Sequence, residues 1–332
     1  MKKIFVIITL LLLLSACKNG PQLMPSVVGK AGEVLVVADK IYTDGAYGDA
    51  IRELLAKDYF ALPQAEPTFD LITVHWAAYS RFFEPHRNQI KLFISSEYQE
   101  AKLSVQYNVA AAPQIVINVT AADDESAAEL VRAKIDLIVE LLEQAERNRT
   151  LDNAGKYPEA NTYQEVANLF GGSLTFPTGY RVTGIKTDNF VYVINNIKKA
   201  MCGILVFSYP YTGSENINLE QMIKLQNEIL KANMPSSAEG SYMKINTELV
   251  PSLRFLRRDD FRFTEMRGLW DVENGFMGGP FVSHSFLDKE EKNVIVAMAF
   301  VYAPNQDKRN YIRQAEALLY SWEWSNLKKE QK

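Results

Sequence analysis

Ile115-Val116-Ile117-Asn118-Val119, then Asp123-Asp124-Glu125, then Ala127, Val131, Ile135, Ile138, Leu142 and Ala145: this stretch decides the fold class. The first five residues form an apolar, β-branched run that suits a buried strand. The three carboxylates favour a helix start, because they meet the positive end of the helix dipole. The apolar residues that follow recur every three or four positions and lay one long stripe along a helix, with Arg147 and Arg149 suited to its end. A strand that feeds a long closing helix is the unit from which the rest of the chain is read.

Working towards the N-terminus, Val34–Val37 reads as a buried strand. Ala46–Lys57 reads as a helix, with Tyr47, Ile51, Leu54, Leu55 and Tyr59 recurring near the helical period, and Pro63 ends the segment. Strands are expected around Leu71–Val74, Ile90–Ile94 and Leu103–Asn108. Residues 148–161 read as a polar connector. Thr162-Tyr163-Gln164-Glu165 fits a capping box, with Gly171-Gly172 as the stop of its helix. Strands follow at Tyr180–Thr183, Phe190–Asn195, Gly203–Tyr209, Phe261–Asp271, Phe281–Phe286 and Val294–Tyr302, with helices over Leu219–Ala232 and from about Gln306. Helices placed among runs of strands imply an α+β fold, drawn as two side-by-side α/β sandwich units with largely antiparallel sheets. The strand-to-helix order of Val34–Val37 and Ile115–Val119 is repeated by Ile204–Phe207 and Val294–Tyr302, which suggests a distant internal duplication.

The first residues carry an address. Lys2 and Lys3 precede an apolar run from Ile4 to Leu14, too short to span a bilayer, and Leu14-Ser15-Ala16-Cys17 resembles a bacterial lipobox. Residues 1–16 are therefore expected to be a lipoprotein signal peptide and 17–30 a lipidated tether beginning at an acylated Cys17. Residues 31–150 would form an N-terminal α/β domain and 151–332 a C-terminal one. Lys18-Asn19-Gly20 lacks both an acidic export cluster and an aspartate retention signal, so the inner leaflet of the outer membrane, facing the periplasm, is the expected location. Of 36 Lys and Arg, cleavage removes two, leaving 34 against 40 Asp and Glu, a net charge of about −6. An acidic body argues against nucleic acid, which needs clustered cations, and makes the lipid the expected link to the membrane. With Cys17 acylated, Cys202 has no partner and reads as a buried inert thiol.

Catalytic signatures are sparse. The chain has no Gly-x-Ser-x-Gly, no phosphate-binding glycine loop and no His-Glu-x-x-His, and its three histidines are His75, His86 and His284, so neither a cofactor nor a metal is expected. Ser283-His284-Ser285 reads as the alternating exposed face of a strand, where a histidine cannot activate its immediate neighbours. The turn containing His86 and Arg87 could present both to an anion. Arg254, Arg257, Arg258, Arg262 and Arg267, interleaved with Phe255, Phe261, Phe263 and Trp270, suit either local ion pairs with Asp259, Asp260 and Glu265 or a carboxylate, phosphate or sugar site. Glu265 and Arg267 share a strand face and are expected to pair. Phe276 and Met277, in a glycine-rich hairpin connection, are candidates for gripping a partner.

Several segments together resemble a Bacteroidota envelope lipoprotein family designated domain of unknown function 4837. They are the lipobox at Cys17, Gly29–Val37, Leu62–Pro67, His86-Arg87-Asn88, Gly268-Leu269-Trp270 and Met277–Phe281. The resemblance implies a Gram-negative envelope location and supplies no catalytic residue. The expectation is a lipid-anchored, non-enzymatic binding or assembly module that meets an envelope protein or glycan. The alternative is an envelope glycan or peptide hydrolase, which would need two convergent carboxylates with raised pKa values in a deep pocket.

Overall fold

The structure, a computed structural model, describes residues 24–197, 199–258 and 261–325. Cys17, the expected signal peptide, Asp259 and Asp260 lie outside these residues. The protein is α+β and divides into two compact units. One comprises the chain up to Tyr47 together with Ile72–Leu130, the other Gly48–Leu71 with Val131–Lys332. The spatial units and the sequence segments 31–150 and 151–332 are two different partitions, because the unit divisions fall inside regular elements.

In the first unit, strands β1 (Glu33–Val37), β2 (Asp70–Val74), β3 (Asn88–Ile94), β4 (Lys102–Tyr107) and β5 (Ile115–Ala121) form a sheet in the order β2-β1-β3-β5-β4. β1, β3 and β5 run parallel, with Ile90 beside both Val36 and Ile117, and β4 is antiparallel to β5. A parallel centre accounts for apolar runs such as Val34–Val37 that do not alternate with polar residues. Helices α1 (Lys40–Thr43), α2 (Ala46–Leu55) and α3 (Asp124–Lys156) follow β1 and β5. The Asp124 carboxylate accepts from the backbone N–H of Ala46 (2.7 Å) and Tyr47 (3.1 Å), capping α2 from 77 residues away. Gly45 makes this possible, since a Cβ there would sit 2.3 Å from Asp124 Oδ2. Asp123 caps α3 by accepting from Ser126 N–H at 2.8 Å.

The second unit holds β6 (Gly172–Ser173), β7 (Arg181–Thr187), β8 (Phe190–Ile197), β9 (Ala200–Pro210), β10 (Met243–Ile245), β11 (Ser252–Arg258), β12 (Phe261–Val272), β13 (Gly278–Leu287), β14 (Asn293–Tyr302) and β15 (Glu323–Trp324). Its helices are α4 (Ala160–Phe170), α5 (Leu219–Asn233) and α6 (Arg309–Leu319). The main sheet is an eight-stranded antiparallel array, β10-β12-β13-β14-β9-β8-β7, with β11 added to β12. Both of its faces are covered. Val191, Ile204, Ile295 and Ala299 pack with Val166 of α4 and Ile312, Ala315 and Leu318 of α6. Phe190, Phe207, Met298 and Phe300 pack with Leu230 of α5. Phe300 lies over Gly203 of the neighbouring strand, where an added Cβ would meet the ring at 2.2 Å.

Four expectations change. The connector proposed for 148–161 is helical as far as Lys156, because α3 continues through a buried Glu146–Arg149 pair (3.2 Å) and Ala154, which belongs to the core. Thr162 does not cap α4. It lies inside the first turn and donates to the Tyr180 carbonyl instead. Ser283, His284 and Ser285 are all buried, since β13 is the third strand of a sheet covered on both sides. The strands matched between the two halves also pair differently. β1 and β5 flank β3 in parallel, whereas β9 and β14 are direct antiparallel neighbours, so the common strand-to-helix order is not a common topology.

Candidate functional site

The residues singled out in the sequence are dispersed. His86 is buried, with Nδ1 3.0 Å from the Asn88 carbonyl and Nε2 3.6 Å from Glu33 Oε2. Gln89 and Gln114 donate to the carbonyls of Glu84 and His86, and Arg87 donates to the Gly29 carbonyl, so this turn is knitted to its own unit and does not present His86 to a ligand. Trp270 is a core residue whose Nε1 donates to the Val301 carbonyl. Phe276 is fully exposed at the β12–β13 connection, and Met277 packs against the core. Arg262 and Arg267 project from opposite faces of β12. Arg262 lines a cavity of about 820 Å³ with Phe261, Phe286 and Trp324, and Arg267 lines a separate one of about 680 Å³.

That second cavity, a cleft in the second unit, has an ionic floor. Glu265 of β12 is 1 % exposed, and its carboxylate accepts from an Arg254 guanidinium N–H and from the Tyr320 hydroxyl at 2.9 Å. His284 Nε2 lies 3.4 Å away and Arg267 Nη2 3.6 Å. Arg267 donates to the Tyr59 hydroxyl at 2.6 Å and pairs with Glu316 of α6 at 2.8 Å. Arg313, one turn earlier on α6, pairs with Glu143 of α3 and stacks over the Tyr59 and Phe69 rings. Arg147 stacks on Tyr320 at 3.6 Å. Antiparallel pairing puts Arg254 directly opposite Glu265, which is why this ion pair forms within one hairpin.

Burial and neighbouring charges together set the ionisation of this network. Burial works against the Glu265 charge, but His284, Arg267 and Arg254 together outweigh it and hold the carboxyl well below the usual range. Burial, assisted by Glu265, raises the Tyr320 phenol, and burial likewise raises that of Tyr59 against the lowering effect of Arg267. Burial also opposes the Arg267 charge, and Glu316, Tyr59 and Glu265 restore it. Glu265 is thus an ionised acceptor, and the two phenols are protonated donors. This pattern of one ionised acceptor among fixed donors holds the floor of the cleft in place.

Above this floor the cleft has walls of opposite charge. The β11 wall carries Arg254 and Arg257, both exposed at the surface. The α3 wall carries Asp136, Glu140 and Glu143, spaced to share one helix face, with Arg147 one turn further on stacked against Tyr320; Asp136 and Glu140 form no ion pair with the described residues. The geometry suits a ligand bearing both charges: its anionic group meets guanidinium forks and its cationic group meets carboxylates.

Glu265 and Arg267, whose strand spacing predicts a pair, lie 3.6 Å apart. Tyr59, Glu143, Arg147, Glu316 and Tyr320 were not read as site residues. One local signal existed: Arg309, Arg313 and Glu316 on α6 and Tyr320 at its C-terminal cap recur at helical spacing, beside the apolar stripe.

Fold and site together define an α+β protein of two units with a charged cleft over a buried ionic network. Residues 159–321 match the family described as domain of unknown function (DUF4837), and residues 27–154 match a second, domain of unknown function (DUF8532). The chain carries the DUF4837 domain that the resemblance implied, over 159–321; this part supplies Arg254, Arg257, Arg267, Glu316 and Tyr320 to the cleft, while Tyr59, Asp136, Glu140, Glu143 and Arg147 lie in the second match. Gly29–Val37, Leu62–Pro67 and His86-Arg87-Asn88 fall within the other match. No curated protein matches the chain.

Proposed function

We propose that this protein is a lipid-anchored envelope protein that acts by binding. Acylated Cys17 would hold it at the inner leaflet of the outer membrane, facing the periplasm. Among the described residues no helix is long and apolar enough to cross a membrane. The observation that carries the binding reading is the cleft of about 680 Å³, with Arg254 and Arg257 on one wall and Asp136 and Glu140 on the other. A partner that presents an ammonium and a carboxylate a few residues apart, as a peptide segment of an envelope protein does, matches both walls.

Two measurements test this. Mass spectrometry of the N-terminal peptide from cells should find Cys17 acylated, and Cys17→Ser should move the protein out of the membrane fraction. The mature chain, titrated with short peptides of systematically varied charge, should prefer those bearing both signs. Arg254→Ala and Glu140→Gln should each weaken that preference on its own side. Turnover of peptide or cell-wall fragments by the mature chain would overturn the reading.

A further inference from the structure

The end of the first unit from which β1, β3 and β5 start gathers five of its exposed large apolar residues; Ile41, Ile72, Phe93 and Tyr98 are exposed elsewhere on the unit. Three segments meet there. Pro25 accepts from Ala112 N–H at 2.9 Å, Val28 N–H donates to the Pro85 carbonyl at 3.0 Å, and Arg87 N–H donates to the Val28 carbonyl at 3.0 Å. Gln114 then joins the loops, with its Oε1 accepting from Ala110 N–H and its Nε2 donating to Glu84 and His86 carbonyls. These loops expose Met24 (41 %), Val28 (47 %), Phe82 (79 %), Tyr107 (60 %) and Val109 (51 %). Phe82 stacks edge-on against Phe83 and has most of its ring in solvent. A cluster of exposed apolar groups on three hydrogen-bonded segments is a surface that needs a cover.

The chain itself says what the cover is. Met24 follows Cys17 by seven positions, and at a maximum of about 3.6 Å per residue an anchor at Cys17 lies within about 25 Å of this end. We infer that this apolar end of the first unit rests on the lipid surface, with Phe82 and Val109 at the headgroup boundary. The inference builds on the lipid-anchor reading. Exposed Lys30 and Arg81 lie on the same segments and suit contact with anionic headgroups, although the body as a whole is acidic. A lipid attached nearby raises the local concentration of membrane, so even a weak interfacial contact becomes persistent.

The test separates the two readings. The mature chain from Lys18, carrying an N-terminal histidine tag, is held on vesicles of phosphatidylcholine and phosphatidylglycerol that contain a nickel-chelating lipid, so native acylation is not required. An environment-sensitive fluorophore is placed at Phe82→Cys, Val109→Cys or, beyond the opposite end of β3, Glu97→Cys. Cys202 is buried, and its thiol is pushed up to about 12, so labelling is confined to the new site. The inference expects blue-shifted emission and strong quenching by brominated lipid at positions 82 and 109, with neither at 97. Equal emission and quenching at all three positions would overturn it. If Cys17 proves unacylated in cells while labels 82 and 109 are quenched, the face stands and the anchor reading falls. The converse result removes the face and keeps the anchor.

Discussion

Replacing Glu265 with glutamine keeps the shape of the side chain and removes the charge on which the cleft floor is organised. Removing one partner of a buried ion pair costs about 3–5 kcal/mol. Three features of this site reduce that figure. Arg267 keeps Glu316 at 2.8 Å and Tyr59 at 2.6 Å, the Arg254 side chain is 59 % exposed and regains water, and the glutamine carbonyl still accepts from Tyr320. What stays uncompensated is the His284 side of the carboxylate, where the imidazole is 2 % exposed. The expected loss is about 2–3 kcal/mol, or roughly 4–12 °C in Tm for a unit of this size. Urea unfolding at neutral pH, followed by the fluorescence of Trp270 and Trp322 in the core clusters of this unit, measures it. The pH dependence gives a second check. The folded-state pKa of Glu265 is depressed, so its contribution is complete above the unfolded carboxylate value of about 4.3 and is lost as pH falls below it. The gap between wild type and Glu265→Gln should therefore close on the acid side. A variant within about 0.5 kcal/mol of wild type at neutral pH, or a gap unchanged in acid, would refute the ionic account of the floor.

Other consequences are independent of the cleft. Gly203→Val should destabilise the second unit by about 1–3 kcal/mol through its clash with the Phe300 ring, and Phe300→Leu in the same chain should recover part of the loss. Asp124→Ala removes the cap of α2 and should cost about 1–2 kcal/mol in thermal unfolding, whereas Asp124→Asn, which keeps an acceptor, should cost less. Burial depresses the His86 imidazole in spite of the Asn88 carbonyl and Glu33. The first unit should therefore hold its full stability above about pH 6.5 and lose some as pH falls below it, because the unfolded chain takes up that proton more readily. A stability profile flat between pH 7 and pH 5 would contradict this. Cys202 should resist thiol reagents in the native protein and react stoichiometrically in denaturant.

Much of the fold was legible because its elements are driven by local apolar pattern. Val34–Val37, Ile115–Val119, Gly203–Tyr209 and Val294–Tyr302 are strands that apolar runs declare, and α5 and α6 follow their stripes to within a few residues. The continuation of α3 past Arg147 was not legible. Asn148, Asp152, Asn153 and Gly155 are poor helix formers, and what holds them is Ala154 in the core, which no local window contains. The burial of Ser283-His284-Ser285 was hidden for a similar reason. Alternation signals an exposed face only when one side of a sheet meets water, and here α4 and α6 cover one side while α5 covers the other.

For the candidate site the boundary follows sequence distance. Strand periodicity was enough to put Glu265 and Arg267 on one face, but β11 was not legible as a strand, so the register that sets Arg254 opposite Glu265 came from the structure. Tyr59 reaches Arg267 across 208 positions, Glu143 reaches Arg313 across 170, and Tyr320 reaches Glu265 across 55. By itself, then, the sequence determined most of the elements, the α+β class and the Glu265–Arg267 pair, because each depends on neighbours a few residues apart. Only the tertiary structure decided which charges are buried, which face each other across the cleft and which apolar loops gather beside the start of the body. Those depend on where distant segments pack, and packing is a property of the whole chain.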